Sequence, residues 1–317
     1  MRYLPTSRLT PGMALGQDIY DGAGRLLLGR HILLTEEQIS NLEFLGFPGV
    51  YVDDEFSRGI EIQQIVSPEV RRQALKIVYD LFHTDMRKQE PSEAEFKLRK
   101  TVESVVDDVI CNGDIMCNIM DIKSYDDYIY YHSIHVGILS VVVGARLGLP
   151  HDELCQLAAA ALLHDIGKRF IDHDIVRGGK AHRSEEEQEV YRSHPKIGAE
   201  YLRETCRFSA DVYEGIMEHH ECYNGEGYPL GKKGAEIHLF ARIIRIADCY
   251  DAKVSAFPAQ KSLSPSEALE YVMALGDRWF DPDIVAVFAR KVAAYPIGCE
   301  VELSNGQHAV VARNFEN

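Results

Sequence analysis

The chain has 317 residues, enough for about two domains at roughly 150 residues each. Hydrophobic residues make up 46% and charged residues 26%, ordinary globular values that exclude disorder, collagen and coiled-coil arrays as whole-chain readings. Lysine and arginine total 34 against 49 aspartates and glutamates, and the net charge of −15 excludes broad electrostatic binding to a DNA or RNA polymer or to an anionic membrane.

Residues 1–60 read as a small α+β module. Gly12, Gly16, Gly22 and Gly24 punctuate short apolar runs such as Leu26–Leu28 and Val50–Val52, the pattern of short strands joined by turns. Between them Thr35-Glu-Glu-Gln38 opens a helix in capping-box style, with Leu42 and Leu45 expected on its apolar side. The opening MRYLPTSRLTPG lacks the apolar core of a signal peptide. Residues 61–119 read as a helical connector. Val70, Ala74, Ile77, Val78 and Leu81 fall at helical spacing, and the charged stretch Met86–Lys100, with Pro91, divides the segment into two helices.

Residues 120–295 form the largest block. Apolar residues recur at helical spacing in Val136–Leu147, Leu154–Leu163, Val212–Met217 and Ile237–Tyr250, with further helices expected at Ser266–Leu275 and Asp283–Ala294. No alternating strand pattern interrupts them, so the fold class is mainly α with a compact all-helical domain. The longest apolar run, Ile138–Pro150, is broken by Arg146 and falls short of the ~20 residues a membrane span needs, so no membrane insertion is expected. In residues 296–317, Asn305-Gly306 between Glu300–Leu303 and His308–Val311 signals a β-hairpin. Seven cysteines (111, 117, 155, 206, 222, 249 and 299) are odd in number and form no CxxC pair, which points to a reducing, cytoplasmic location.

Histidine usage in the helical block is the informative feature. Leu157, Ala161 and Asp165 share a helical face, so the pair His164-Asp165 carries an apolar stripe into polar chemistry, with Lys168 at i, i+4 from His164. His132 heads another stripe, above Val136, Leu139 and Val143. His219 and His220 end a helix whose inner face carries Val212 and Ile216, and Asp248 lies one turn beyond Ile244 on an apolar face. His194 precedes Pro195, which predicts an extended conformation for it and a helix start just after. Each alone reads as a core or capping residue; five histidines and two aspartates at the inner ends of separate helices read as metal ligands. Imidazole and carboxylate without thiolate suit Fe, Mn, Ni or Zn. Seven ligands suit two ions rather than one, and two ions about 3.5–4 Å apart would place a bridging hydroxide in line with a phosphorus atom. The chemistry expected is phosphate-ester hydrolysis.

His164-Asp165-Ile-Gly-Lys168, His194-Pro195, His219-His220-Glu221, Asn224-Gly-Glu-Gly-Tyr-Pro229 and Ile246-Ala-Asp248 together resemble the HD-GYP domain, over about residues 120–295. The resemblance implies a metal-dependent phosphodiesterase that cleaves a bacterial cyclic dinucleotide, above all cyclic di-GMP, to linear pGpG with GMP as a further product. It implies two metal ions, Fe or Mn, on His132, His164, Asp165, His194, His219, His220 and Asp248, with Asp165 bridging. Lys168 would act at the scissile phosphate, and Gly227 and Tyr228 of the glycine-rich loop would lie beside the substrate. Two departures stand out. Some members carry a glutamate for a third metal where this chain has Tyr128, so two metals are expected. The family's basic Arg-Pro-Tyr-Arg-like stretch is replaced by Phe257-Pro258-Ala259-Gln260, leaving Lys253, Lys261, Arg177 and Lys180 as substitute cations. A non-hydrolysing cyclic-dinucleotide sensor, and an enzyme for 3′,3′-cyclic GMP-AMP or a linear dinucleotide, stay open as alternatives. The N-terminal module is the expected place for a homodimer or a signalling-protein contact.

Overall fold

The computed structural model describes residues 1–88, 91–118, 124, 127–178, 182–255 and 262–315. The N-terminal module is built as its glycine-punctuated runs predict. Strands β1 (Arg2–Pro5), β2 (Ala14–Leu15) and β5 (Gly49–Asp53) form an antiparallel sheet in the order β1-β5-β2, beside a hairpin of β3 (Ile19–Tyr20) and β4 (Leu26–Leu28). Helix α1 (Glu36–Phe44) starts on a complete capping box: Thr35 Oγ1 accepts from the Gln38 amide at 3.2 Å, and Gln38 Oε1 accepts from the Thr35 amide at 3.0 Å. Its buried side chains are Ile39 and Leu42; Leu45, expected on the apolar side, is 38% exposed. Ile39 and Leu42 stand three residues apart on the face toward Leu4, Leu15 and Val50, whereas Leu45 is the C-cap, where the chain turns away.

Helices α2 (Pro68–His83) and α3 (Pro91–Cys111) pair with one another, and both pack on the helical block through Leu75, Val78, Leu98 and Val105. One hydrophobic core therefore runs from Ile65 to Val292, and the segment expected as a connector is part of it. At its centre lies α4 (Tyr128–Arg146), packed against α5 (His151–Leu163) and α10 (Leu239–Val254) and buried at every position from His132 to Gly144. Helix α4 begins ten residues before the apolar run visible in the sequence. By length and hydropathy (19 residues, 1.3) it could cross a membrane, but 72% of its most apolar 18-residue stretch is buried within this fold, as expected of a central core helix. The block continues through α6 (His173–Arg177), α7 (Glu185–Arg192), α8 (His194–Thr205), α9 (Ala210–Glu218), α11 (Pro265–Ala274) and α12 (Pro282–Lys291).

Strands β6 (Glu300–Glu302) and β7 (His308–Val310) form the hairpin that Asn305-Gly306 predicts, with Gly306 at φ +79°. This hairpin is tied to the opposite end of the sequence. The Tyr3 amide donates to Gly298 O at 2.8 Å, and Glu300 receives the guanidinium groups of Arg2 and Arg8. The tail and the N-terminal module thus share one surface, and α4 joins them where Tyr131 Oη donates to Tyr20 O at 2.8 Å.

Candidate metal centre

The helical block delivers its polar residues from five places: the first turns of α4, the end of α5 with the turn after it, the start of α8, the end of α9 and the middle of α10. His132 lies in the first turns of α4, at the end where its apolar face begins. Helix α5 stops at Leu163 and does not carry Asp165 along its stripe: His164 is its C-cap, and Asp165 (φ −96°, ψ 4°) opens a 3₁₀ helix over Ile166–Phe170. With three residues per turn, the cation stacked on Asp165 is Lys168, its Nζ 2.5 Å from Oδ2. The expected i, i+4 pairing of Lys168 with His164 is replaced by this i, i+3 ion pair. His194 is likewise helical rather than extended, being the first residue of α8. The restriction a proline places on its predecessor is outweighed by full burial of the ring and a 2.7 Å hydrogen bond from Nδ1 to Tyr191 O. Gly167 makes this approach of α8 sterically accessible. A Cβ on it would stand 2.0 Å from His194 O and 2.8 Å from the Gly198 amide, so the glycine of His-Asp-x-Gly-Lys lets the two backbones touch.

All seven predicted side chains converge. Asp165 sits in the middle with its two oxygens turned to two groups. Oδ1 lies 3.2 Å from His194 Nε2 and 3.9 Å from His219 Nε2, while Oδ2 lies 3.4 Å from His164 Nε2 and 3.9 Å from His132 Nε2. Asp248 spans the same two groups, 3.2 Å from His132 Nε2 and 3.8 Å from His220 Nδ1. Tautomers follow from the other ring nitrogens. His164, His194 and His219 place Nδ1 within 2.6–2.7 Å of the carbonyls of Ala161, Tyr191 and Ile216. A carbonyl only accepts, so each Nδ1 carries the proton and each Nε2 presents a lone pair to the centre. His220 is the exception. Arg245 Nη1, a donor only, lies 3.3 Å from its Nδ1, which puts the ring proton on Nε2 and requires its loss, or a turn of the ring, before that nitrogen can ligate.

The donor set fits a divalent cation. Lone-pair nitrogens of His194 and His219 face each other at 3.3 Å, and His164 Nε2, His220 Nε2 and Asp165 Oδ1 are buried with no hydrogen-bond partner among the described residues. Buried polar atoms left without partners cost about 1–3 kcal/mol each, a cost that a cation removes for several of them at once. Ligand atoms close enough to share an ion form two groups, Asp165–His194–His219–His220 and His132–His164–Asp165, with Asp165 common to both.

Electrostatics agree with the geometry. Burial disfavours a charge on Asp165, but the neighbouring His164 and Lys168 outweigh it and hold the carboxyl well below its usual range. Burial also works against Lys168, yet Asp165 keeps it strongly cationic. Burial and then neighbouring imidazoles hold His219 and His220 well below the ordinary histidine value, in the neutral form a metal needs. On His132 burial is overcome by Asp248 and Asp251, which push it up to about 9.

The profile of the HD domain family matches residues 118–284, just over half of the chain. This protein belongs to the HD domain family. Its His-Asp, His-His-Glu and Gly-Tyr-Pro segments are consistent with the HD-GYP branch of that family. A cyclic di-GMP phosphodiesterase of Pseudomonas aeruginosa is 33% identical over 211 residues, 66% of this chain and 50% of that protein. A cyclic di-GMP phosphodiesterase response regulator of Xanthomonas campestris pv. campestris is 39% identical over 151 residues, 47% of this chain and 39% of its own. The chain thus spans about half the length, or less, of these two relatives. In overall fold it is similar to a solved HDG"Y"P protein from Bdellovibrio bacteriovorus (TM-score 0.56, 18% identity, 90% of this chain and 97% of that one).

Around the cluster the HD domain of this chain adds residues that sequence reasoning missed. Asp251 is fully buried and clasps two histidines, His132 Nδ1 at 2.7 Å and His135 Nδ1 at 2.8 Å. The signal was present as spacing: His132/His135 on α4 and Asp248/Asp251 on α10 are both i, i+3 pairs, which share a helix face. A carboxylate behind a ligating imidazole fixes its ring and raises its basicity. Asp251→Ala therefore weakens metal binding about 10- to 100-fold, measured by competition with a chromogenic chelator. Arg245 was also missed; its Nη1 is 3.7 Å from Asp248 Oδ2.

The glycine-rich loop stands against this centre. Tyr228 stacks on His220 (centroids 4.8 Å, 29°), with the Arg192 guanidinium 5.3 Å from the tyrosine centroid. Glu221 holds the loop by accepting from the amides of Leu230 at 2.6 Å and Gly231 at 3.1 Å. Gly227, expected beside the substrate, has a packing reason of its own: a Cβ there would lie 2.2 Å from the Cys222 amide. Tyr128 lies flat on the His132 ring (5.2 Å, 12°). Lys253 is not brought to the cluster. Five residues beyond Asp248, it points off that face, and its Nζ sits 4.7 Å above the Tyr271 ring of α11. Arg177 is exposed at the end of α6, while Lys180, Lys261 and Phe257–Gln260 lie outside the described residues.

Proposed function

We propose that this chain is a metal-dependent phosphodiesterase that hydrolyses a bacterial cyclic dinucleotide, cyclic di-GMP in the first place, to linear pGpG and on to GMP. The observation that carries this reading is Asp165, whose two oxygens address two separate groups of buried imidazoles. Similarity to two cyclic di-GMP phosphodiesterases points to the substrate class. His132, His164, Asp165 and Asp248 would hold one cation and Asp165, His194, His219 and His220 a second, Fe or Mn. Cations of this kind lower the pKa of a water and neutralise phosphate charge. The side chains do the rest. Lys168, kept cationic beside Asp165, meets a phosphate oxygen. Tyr228, whose phenol is pushed well up by burial, keeps its proton and donates it as a hydrogen bond. Free thiols at all seven cysteines are in keeping with a reducing cytoplasm.

The test is chromatography of cyclic di-GMP incubated with protein loaded anaerobically with Fe(II) or Mn(II). Linear pGpG is the expected product. Tight binding without cleavage would favour the sensor reading, and cleavage of 3′,3′-cyclic GMP-AMP alone would keep the site and change the substrate. Lys168→Ala is expected to retain its metal while kcat falls by about 10²–10³-fold, the loss typical of one electrostatic donor.

A further inference from the structure

A cavity of about 510 Å³ opens between the N-terminal module and α2 and α4, away from the metal centre and within the size range of small-molecule sites. In a chain of net charge −15 its lining is locally cationic: Arg30, Arg71 and Arg72 against one carboxylate, Asp18. Asp18 is already engaged, accepting from the Arg30 amide at 2.7 Å and the Tyr20 hydroxyl at 3.1 Å. Arg72 is paired with Glu69 at 2.8 Å. Among the described residues Arg71 has no such partner. Its Nε is buried without a hydrogen bond among the described residues, and the ionisable groups around it are Tyr51, Cys117 and Tyr131. None of those is an anion at neutral pH, since burial pushes the Cys117 thiol up to about 12 and both phenols higher still. Arg71 is half-buried with its Nε out of reach of water, and a guanidinium so placed with no counter-charge among the described residues is costly unless something else supplies one. Gln64 Oε1, on the same wall, is a buried acceptor that also lacks a donor.

We propose that this cavity binds a small organic anion, its carboxylate or phosphate held by Arg71 and a donor group on the same molecule held by Gln64. The planar guanidinium suits a two-oxygen anion, and the unmatched acceptor selects a ligand bearing a hydroxyl or amine. His135 lines the same cavity and shares Asp251 with His132, so an occupant sits two side chains from a candidate metal ligand. The binding claim stands whether or not the chain cleaves cyclic dinucleotides.

Thermal unfolding of the metal-loaded full chain, with L-malate and with inorganic phosphate as probes, tests it. In the wild type a saturating probe raises Tm by about 5 °C. Arg71→Met, which keeps volume and removes the uncompensated charge, unfolds no earlier than the wild type without probe and gains nothing from it. Asp165→Asn, altered only at the metal centre and compared with the wild type stripped of metal, keeps the full rise. Gln64→Leu serves as a second variant in which the rise shrinks. The proposal is overturned if neither probe shifts the wild type, if the rise survives Arg71→Met together with Gln64→Leu, or if it disappears with Asp165→Asn, which would place the anion at the metal centre.

Discussion

Asp165→Ala is expected to lose its bound metal and to reduce cyclic di-GMP turnover to background. Removing partners that merely orient metal ligands costs 10- to 100-fold in affinity, so removing a carboxylate that faces both groups of imidazoles costs more than about 100-fold. Most of the fold should persist. Asp165 is not among the apolar residues of the main core, and α4, α5 and α10 pack through Leu139, Leu157 and Ile244. The variant does strand Lys168, and breaking a buried ion pair costs about 3–5 kcal/mol. The Lys168 side chain retains 11% exposure and a flexible stem, so part of that cost is relieved by reaching solvent. Elemental analysis, circular dichroism and the hydrolysis assay on one preparation separate these effects. Metal and turnover should vanish together while helical signal remains; full activity would mean that Asp165 is not the shared ligand.

Gly167→Ala is expected to produce the largest stability loss of a single methyl addition in this domain. The new Cβ would sit 2.0 Å from His194 O and 2.8 Å from the Gly198 amide, both backbone atoms that cannot rotate away. Overpacking typically costs 1–3 kcal/mol, and a backbone clash of this depth lies at the upper end, about 3 kcal/mol. The corresponding fall in Tm is on the order of 5–10 °C. Because the clash pushes on the first residue of α8, it also displaces the His194 imidazole, and metal affinity should fall with Tm. A variant with unchanged Tm and unchanged metal affinity would show that the 3₁₀ segment and α8 do not meet as described.

Much of this was legible from residue order alone. The capping box at Thr35 and the Asn305-Gly306 turn are local devices, complete within a few residues, and the structure contains both. The seven convergent residues could be singled out because each places a polar group at the end of an apolar stripe, an arrangement costly enough to demand a partner. Where the reading failed, the cause was tertiary. Helical periodicity carried Asp165 one turn too far, because nothing local marks the switch to a 3₁₀ turn at Leu163. Proline statistics made His194 extended, while burial of its ring made it helical. Lys253 was assigned by proximity in sequence to Asp248, although five positions along a helix turn a side chain to another face. Asp251 escaped because a carboxylate on a charged helix end reads as solvent-facing until α4 is placed against it. The union of the C-terminal hairpin with β1 lies nearly three hundred residues apart in sequence and leaves no local trace.

The most direct measurement is anomalous diffraction from crystals grown with Mn(II), collected so that manganese dominates the signal. Two peaks are predicted, one reached by Asp165 Oδ1 with His194 and His219, the other by Asp165 Oδ2 with His132 and His164. A single peak, or density at neither oxygen of Asp165, would contradict a paired-cation centre and with it the reaction assigned to this chain.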